Sequence, residues 1–264
     1  MGATGADAPG LVAGLTVATV LGLTANRIAA SLVPPTGELL DGFPRWRWIL
    51  SVFVQATVFP SFVLLALWSA WAEGAVGPGR WLSSSAKELS RFDRWYVYAL
   101  FGSQSRDMFP MPRTASLLIK VHHWLVVTSC VLSLLMPQGF GLFVAGTFVL
   151  ELGSLSYNLR KLYPGSALIM GSYQVCMGSS NAVALALGAP LIGMKEIHFL
   201  VRALFFVADL GVCIGRQREA LKDAGLIRKG HGHGNGQAET APAEAIDRSG
   251  GRGESSAQGL SQRR

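Results

Sequence analysis

Apolar residues run along this chain in seven long blocks separated by short polar breaks. Each block is close to the ~20 residues a helix needs to cross a bilayer. The blocks are Leu11–Val33, Trp46–Trp71, Trp95–Met111, Ala115–Met136, Gln138–Asn158, Pro164–Ala189 and Ile197–Arg216. Helix breakers stand between them: Pro34-Pro35, Gly42-Phe43-Pro44, Gly77-Pro78-Gly79, Pro110 and Pro112, Pro137, and Pro164-Gly165. Gln104, Arg106 and Asp107 interrupt the third block, which reads either as a span lined by water or as a short helix buried by its neighbours. The pattern therefore predicts an all-α, polytopic membrane bundle of about seven transmembrane helices, with six as the alternative. Pro60 lies inside the second block and predicts a kink, since it has no N–H to donate to the preceding turn.

Composition agrees with that reading. Half of the 264 residues are apolar and only 15% are charged, against about 25% in soluble domains; mean hydropathy is +0.36. Asp7 is the only charge before Arg27, so the first block lacks the basic start of a secretory signal and reads as a helix of the mature protein. Three regions follow: a short lead over 1–10, a bundle over 11–216, and a basic tail over 217–264. From Gly230 the tail is rich in Gly, Ser and Ala, too poor in large apolar groups to offset chain entropy, and is predicted disordered. His231 and His233 in that tail are too few to form a metal tract.

The net charge of +7 does not point to nucleic acid, because the bases flank apolar blocks and no nucleic-acid motif is present. Arg45, Arg47, Arg113, Arg160, Lys161 and the bases from Arg216 onward fall on one side of a seven-span layout. The positive-inside rule makes that side, with the C-terminal tail, cytoplasmic. Most Trp residues and Tyr163 sit near block ends, where amphipathic rings anchor at the membrane interface. Cys130, Cys176 and Cys213 lie far apart within apolar blocks and read as small core residues, giving neither a disulfide framework nor a metal site. No cofactor is expected.

Helical spacing gathers the remaining polar residues into strips. The fifth block carries Thr147, Glu151, Ser154 and Asn158 on one face; the seventh carries His198, Arg202 and Asp209. The sixth offers Gln174, Gly178 and Asn181, and the first offers Thr16, Thr19 and Arg27. The fourth offers His122, Ser129 and Ser133, with His123 about 100° away. A carboxylate facing lipid costs roughly 3 kcal/mol on insertion scales. Turning the strips inward avoids that cost and predicts an internal cavity lined by Asp107, His122, His123, Glu151, Asn158, His198, Arg202 and Asp209. Ser129, Ser133, Gln174 and Asn181 read as interhelical glue, worth about 0.6 kcal/mol apiece. Glu151 beside an Arg reads equally as a structural ion pair or as a ligand-binding group.

A neutral imidazole at position 122 or 123 can take a proton from a hydroxyl or amine, with Asp107 or Glu151 orienting it, which suits acyl transfer onto an amphiphile. No Gly-x-Ser-x-Gly, HExxH or phosphate-cradling Gly loop is present. The five His residues do not form the clusters of a di-iron desaturase.

The order RFDRWYVYALFGSQSRDMF, LLIKVHHWLVV, LELGSLSYNLRKLYP resembles the TLC domain shared by TRAM and Lag-type ceramide synthases. Asp107, His122, His123, Glu151, Asn158 and Arg160 carry the resemblance, which covers roughly 42–216. It implies a multi-pass bundle of the endoplasmic reticulum around a lipid-binding cavity, and in the synthase branch an acyl-CoA-dependent N-acyltransferase using the His pair. After His123 the chain reads WLVVTSC, and no Asp lies between Asp107 and Asp209, so the synthase acidic stretch is missing. The chain is thus more similar to the non-synthase members, which implies lipid sensing, trafficking or control of membrane lipid composition. Three functions stand as expectations: a lipid-handling TLC-type protein with membrane lipids as partners; an acyltransferase taking acyl-CoA with His122 or His123 as general base; and a proton-coupled transporter. No internal repeat favours the last.

Overall fold

The computed structural model describes residues 8–33, 39–72, 77–109, 111 and 117–226. All belong to one unit, Met1–Arg228. The tail from Gly230 with His231 and His233, the breakers Pro34-Pro35, Pro110 and Pro112, and Arg113 lie outside the described residues.

Every apolar block forms a helix. Helix α1 is Ala8–Leu32, and a two-residue hairpin, β1 (Leu39–Leu40) with β2 (Phe43–Pro44), leads into α2 (Arg45–Phe53). A π-helical turn, Val54–Val58, joins α2 to α3 (Phe59–Ala72). After short α4 (Pro78–Ser83) come α5 (Arg91–Met108), α6 (Leu117–Leu135), α7 (Phe140–Leu162), α8 (Ala167–Gly193) and α9 (Phe199–Asp223). Among the described residues, four stretches are long and apolar enough to cross a membrane: Pro9–Leu32, Arg45–Ala72, Phe140–Leu162 and Ala167–Gly193. The molecule is an all-α integral membrane protein. Within α6 the apolar stretch Ile119–Leu135 is shorter, and α5 and α9 are not among the four.

The break at Pro60 takes a particular form. Pro60 cannot donate to the turn before it, and the helix answers by widening one turn earlier, where the Phe59 N–H reaches back five residues to the Val54 carbonyl. The extra residue in that turn re-aims Gln55, which is only 7% exposed, toward α7.

Two ends are fixed by different chemistry. At one, the α4 turn is stitched to α7: Gly139 N–H donates to Ser83 O and Phe140 N–H to Ser84 O, both at 2.9 Å. Trp81 Nε1 donates to Asp93 Oδ1 at 3.0 Å, and Gly141 lies against the Trp81 backbone, where a Cβ has no room. The other end gathers α2, the C-termini of α7 and α9, and the hairpin. There Lys161 pairs with Asp41 at 2.5 Å and Arg160 with Asp223 at 3.0 Å. Those two bases, read from the sequence as topological, therefore fasten the end of α7 to the hairpin and to the end of α9.

Helix α1 packs on α5 through small residues. A Cβ on Gly22 would lie 2.5 Å from the Gly102 carbonyl oxygen, and one on Gly102 would strike the Ala18 carbonyl. Such close backbone approach is how membrane helices gain contact without a hydrophobic driving force. The expected strip on α1 is corrected here: Thr16 and Arg27 face outward, while Gly14, Ala18, Gly22 and Asn26 face α5. The tail boundary moves too, since α9 continues past Arg216 to Asp223 and buries Ala220 completely. Cys130 and Cys213 are buried as expected, but Cys176 is exposed on α8.

Candidate functional site

Helices α2, α5, α6, α7, α8 and α9 enclose a cavity of about 390 Å³ near the basic end of the bundle. Asp107, His122, His123, Glu151 and Asn158 line it, together with Arg47, Gln55, Gln104, Tyr157 and Arg216. A second cavity of about 110 Å³ runs toward the other end, walled mainly by Leu, Val, Phe and Gly, with Asp209 on its side. His122, Leu125, Glu151, Val212 and Arg216 border both. The two spaces are thus a chamber that holds most of the polar side chains and an apolar arm, and they meet at an imidazole, a carboxylate and a guanidinium.

At the chamber's centre is a hydrogen-bonded row. Glu151 is 8% exposed; Gln55 Nε2 donates to its Oε2 at 2.7 Å and Gln104 Nε2 to its Oε1 at 3.2 Å. With both amide N–H groups committed to the carboxylate, each amide oxygen faces away. Asn158 Nδ2 donates to Gln55 Oε1 at 2.8 Å. Gln104 Oε1 meets His123 Nδ1 at 2.5 Å, so Nδ1 carries the proton and a neutral ring keeps Nε2 as an acceptor. The row Asn158, Gln55, Glu151, Gln104, His123 points every donor toward one carboxylate. The ion-pair alternative for Glu151 is overturned: two side-chain amides hold it, and among the described residues it forms no ion pair within 4.0 Å.

Arg216 instead ties three helices together. Its Nε donates to Asn181 Oδ1 at 3.0 Å, Nη1 to Ser154 Oγ at 2.8 Å and to the Leu150 carbonyl at 2.9 Å, and Nη2 to Ser180 Oγ at 3.2 Å. Gly153 makes this possible, because a Cβ there would collide with Ser180 Oγ and Arg216 Nη2. Arg106, 1% exposed, anchors the α5 end: Nη2 donates to Ser51 Oγ at 2.8 Å, and Nε lies 3.6 Å from Asp107 Oδ1. Arg47, 6% exposed, stacks on Phe43 and Trp46. The glue residues divide. Gln174 and Asn181 join α8 to α9, Ser133 bonds only within its own helix, and Ser129 lines the arm.

Two predicted cavity residues are not there. His198 precedes α9 as its N-cap, is exposed, and accepts from the Leu200 N–H at 3.3 Å. Helical spacing does not apply to a residue outside the helix, so its place in the strip with Arg202 and Asp209 fails. Arg202 turns to the Ile192 carbonyl in the last turn of α8, where a cation satisfies a free helix-end acceptor. Asp209 does border the arm, with Cys213 Sγ 3.7 Å away and Gly188 leaving it room.

Sequence reasoning missed Gln55, Gln104 and Arg216 as site residues. The available signal was a lone Gln in an apolar run five residues before a proline, and an Arg one turn beyond Val212 on the Asp209 face. Among the described residues, no group of three His, Cys, Asp or Glu side chains has metal-holding geometry. Comparison of the chain with protein-family models, with curated proteins and with solved structures finds no match.

Proposed function

We propose that this membrane protein binds an amphiphilic lipid, its polar group in the chamber and its hydrocarbon in the arm, and thereby influences membrane lipid composition or trafficking. The observation that carries the reading is the continuity of a polar and an apolar space across His122, Glu151 and Arg216. Ligand sites of roughly 300–1,000 Å³ with a few convergent polar groups are the usual form of a small-molecule pocket. The resemblance to TLC-domain proteins supports the same reading, since Asp107, His122, His123, Glu151 and Asn158 share one wall system. On it we also place the protein in the endoplasmic reticulum with the basic end and the C-terminus cytoplasmic. The test is native mass spectrometry of protein purified in mild detergent, joined to lipid profiling of cells lacking it. A retained lipid that is lost in His122→Trp, together with an altered lipid profile, is the expected result. Empty protein and an unchanged profile would refute the reading.

A second reading, an acyltransferase with acyl-CoA as donor, is favoured by one detail. Gln104 holds His123 Nδ1–H, which leaves Nε2 as the free base. Microsomes bearing His122→Ala and His123→Ala should then lose acylation of long-chain amines or alcohols; equal product from variant and wild type removes it.

A further inference from the structure

The length and the closed far end of the apolar arm restrict what it can hold. Along α7 the arm runs from Glu151 to Leu142, and along α9 from Arg216 to Phe205. At ~1.5 Å per helical residue these paths are roughly 14 and 17 Å. One acyl layer of a bilayer is about half of the ~30 Å hydrocarbon thickness, or roughly 15 Å. The far end is shut: Met136, Leu142 and Leu191 are each 5–6% exposed and pack with Ile197 into one buried cluster. A space of about 110 Å³ drawn out over such a length is narrow.

We infer that the arm gauges a single alkyl chain of about one leaflet's length. On this basis the ligand is a single-chain amphiphile whose polar group rests beside His122, Glu151 and Arg216. The inference builds on the lipid-binding reading and adds chain number and chain length to it. A two-chain lipid would have to leave its second chain outside this arm. A chain longer than the arm meets the Met136–Leu142–Leu191 floor, and a native-like packed floor does not yield without cost.

Gly146 gives the means of testing this. It lies on the arm wall between Leu142 and Glu151, and a Cβ built there meets nothing within 4 Å. A Cβ at this position has open space beside the lumen, so Gly146→Leu is expected to shorten the arm and Leu142→Ala to deepen it. The full-length protein is purified in detergent and offered equimolar ladders of fatty acids and of lysophosphatidylcholines, with a diacyl phosphatidylcholine as the two-chain probe. Native mass spectrometry reads the retained species. Wild type is expected to show a length optimum and to exclude the diacyl lipid. Gly146→Leu should move the optimum several carbons shorter, with about a tenfold loss of the longest chain wild type retains. Leu142→Ala, checked for native helicity by circular dichroism, should move it longer. Equal retention of all lengths, retention of the diacyl lipid, or unchanged optima in both variants overturns the inference and leaves lipid binding intact. A wild type that retains no ladder member overturns it as well, and one that also carries no co-purified lipid removes the lipid-binding reading with it.

Discussion

Replacing Gln104 with Leu removes two contacts at once: the donor to Glu151 Oε1 and the acceptor of the His123 Nδ1 proton. Leu is close to Gln in volume, so the packing of α5 changes little and the loss is polar. Each orphaned buried group costs about 1–3 kcal/mol in water-soluble proteins. Interhelical hydrogen bonds in membranes are worth less, about 0.6 kcal/mol on average and about 1.7 at most, because the unfolded chain also finds partners in the bilayer. Glu151 is a buried carboxylate whose other support is a single amide, Gln55, so this site belongs near the upper figure. The expected destabilisation is about 2–3 kcal/mol. Reversible unfolding in mixed micelles by titrated dodecyl sulfate measures it. The sharper result is a cycle with Glu151→Leu: removing both partners should cost less than the two single changes added, by about 1–2 kcal/mol, since no charge is left stranded. If the double variant is additive within about 0.5 kcal/mol, Gln104 and Glu151 are not coupled and the row is not a unit.

Three further outcomes are expected. Gly153→Ala should destabilise the bundle by about 1–3 kcal/mol in the same titration, because its Cβ displaces Ser180 and Arg216, whereas Gly146→Ala, facing open space, should change stability by less than about 0.5 kcal/mol. Arg216→Lys should cost about 2–4 kcal/mol, since one ammonium cannot reach Asn181, Ser154 and Ser180 together as the forked guanidinium does; thermal unfolding in detergent reads the shift. Gly22→Val should push α1 off α5, and a cysteine pair placed at Gly14 and Tyr98, which touch across that interface, should lose its crosslinking yield in the Val background.

Much of the bundle was legible in the chain because long apolar blocks and breakers are a strong, local signal. Predicted Gln138–Asn158 became Phe140–Leu162, and its strip of Thr147, Glu151, Ser154 and Asn158 turned inward as its spacing demanded. Where helical spacing was extended past a helix end, as with His198, it failed, because cap geometry decides where such a side chain goes. Arg216 was read as a topological base for the converse reason: the apolar run ends near it, but the helix does not. Gln55 was invisible to periodicity because the π turn shifts the phase of everything after it. On α1, Thr16 and Arg27 faced out and glycines faced in, since contact with α5 rewards closeness of backbones more than polarity.

The widened turn at Val54–Val58 also divides its span into two independently tunable halves. Upstream, Arg47 and Ser51 serve the chamber and the buried arginine of α5; downstream, Phe59, Val63 and Ala66 sink into the bundle's apolar interior. One surplus residue at the joint lets each half keep its own angular setting. Substitutions that rotate the chamber-facing half need not disturb the packing of the other, which gives this helix a way to reshape the chamber while the scaffold stays as it is.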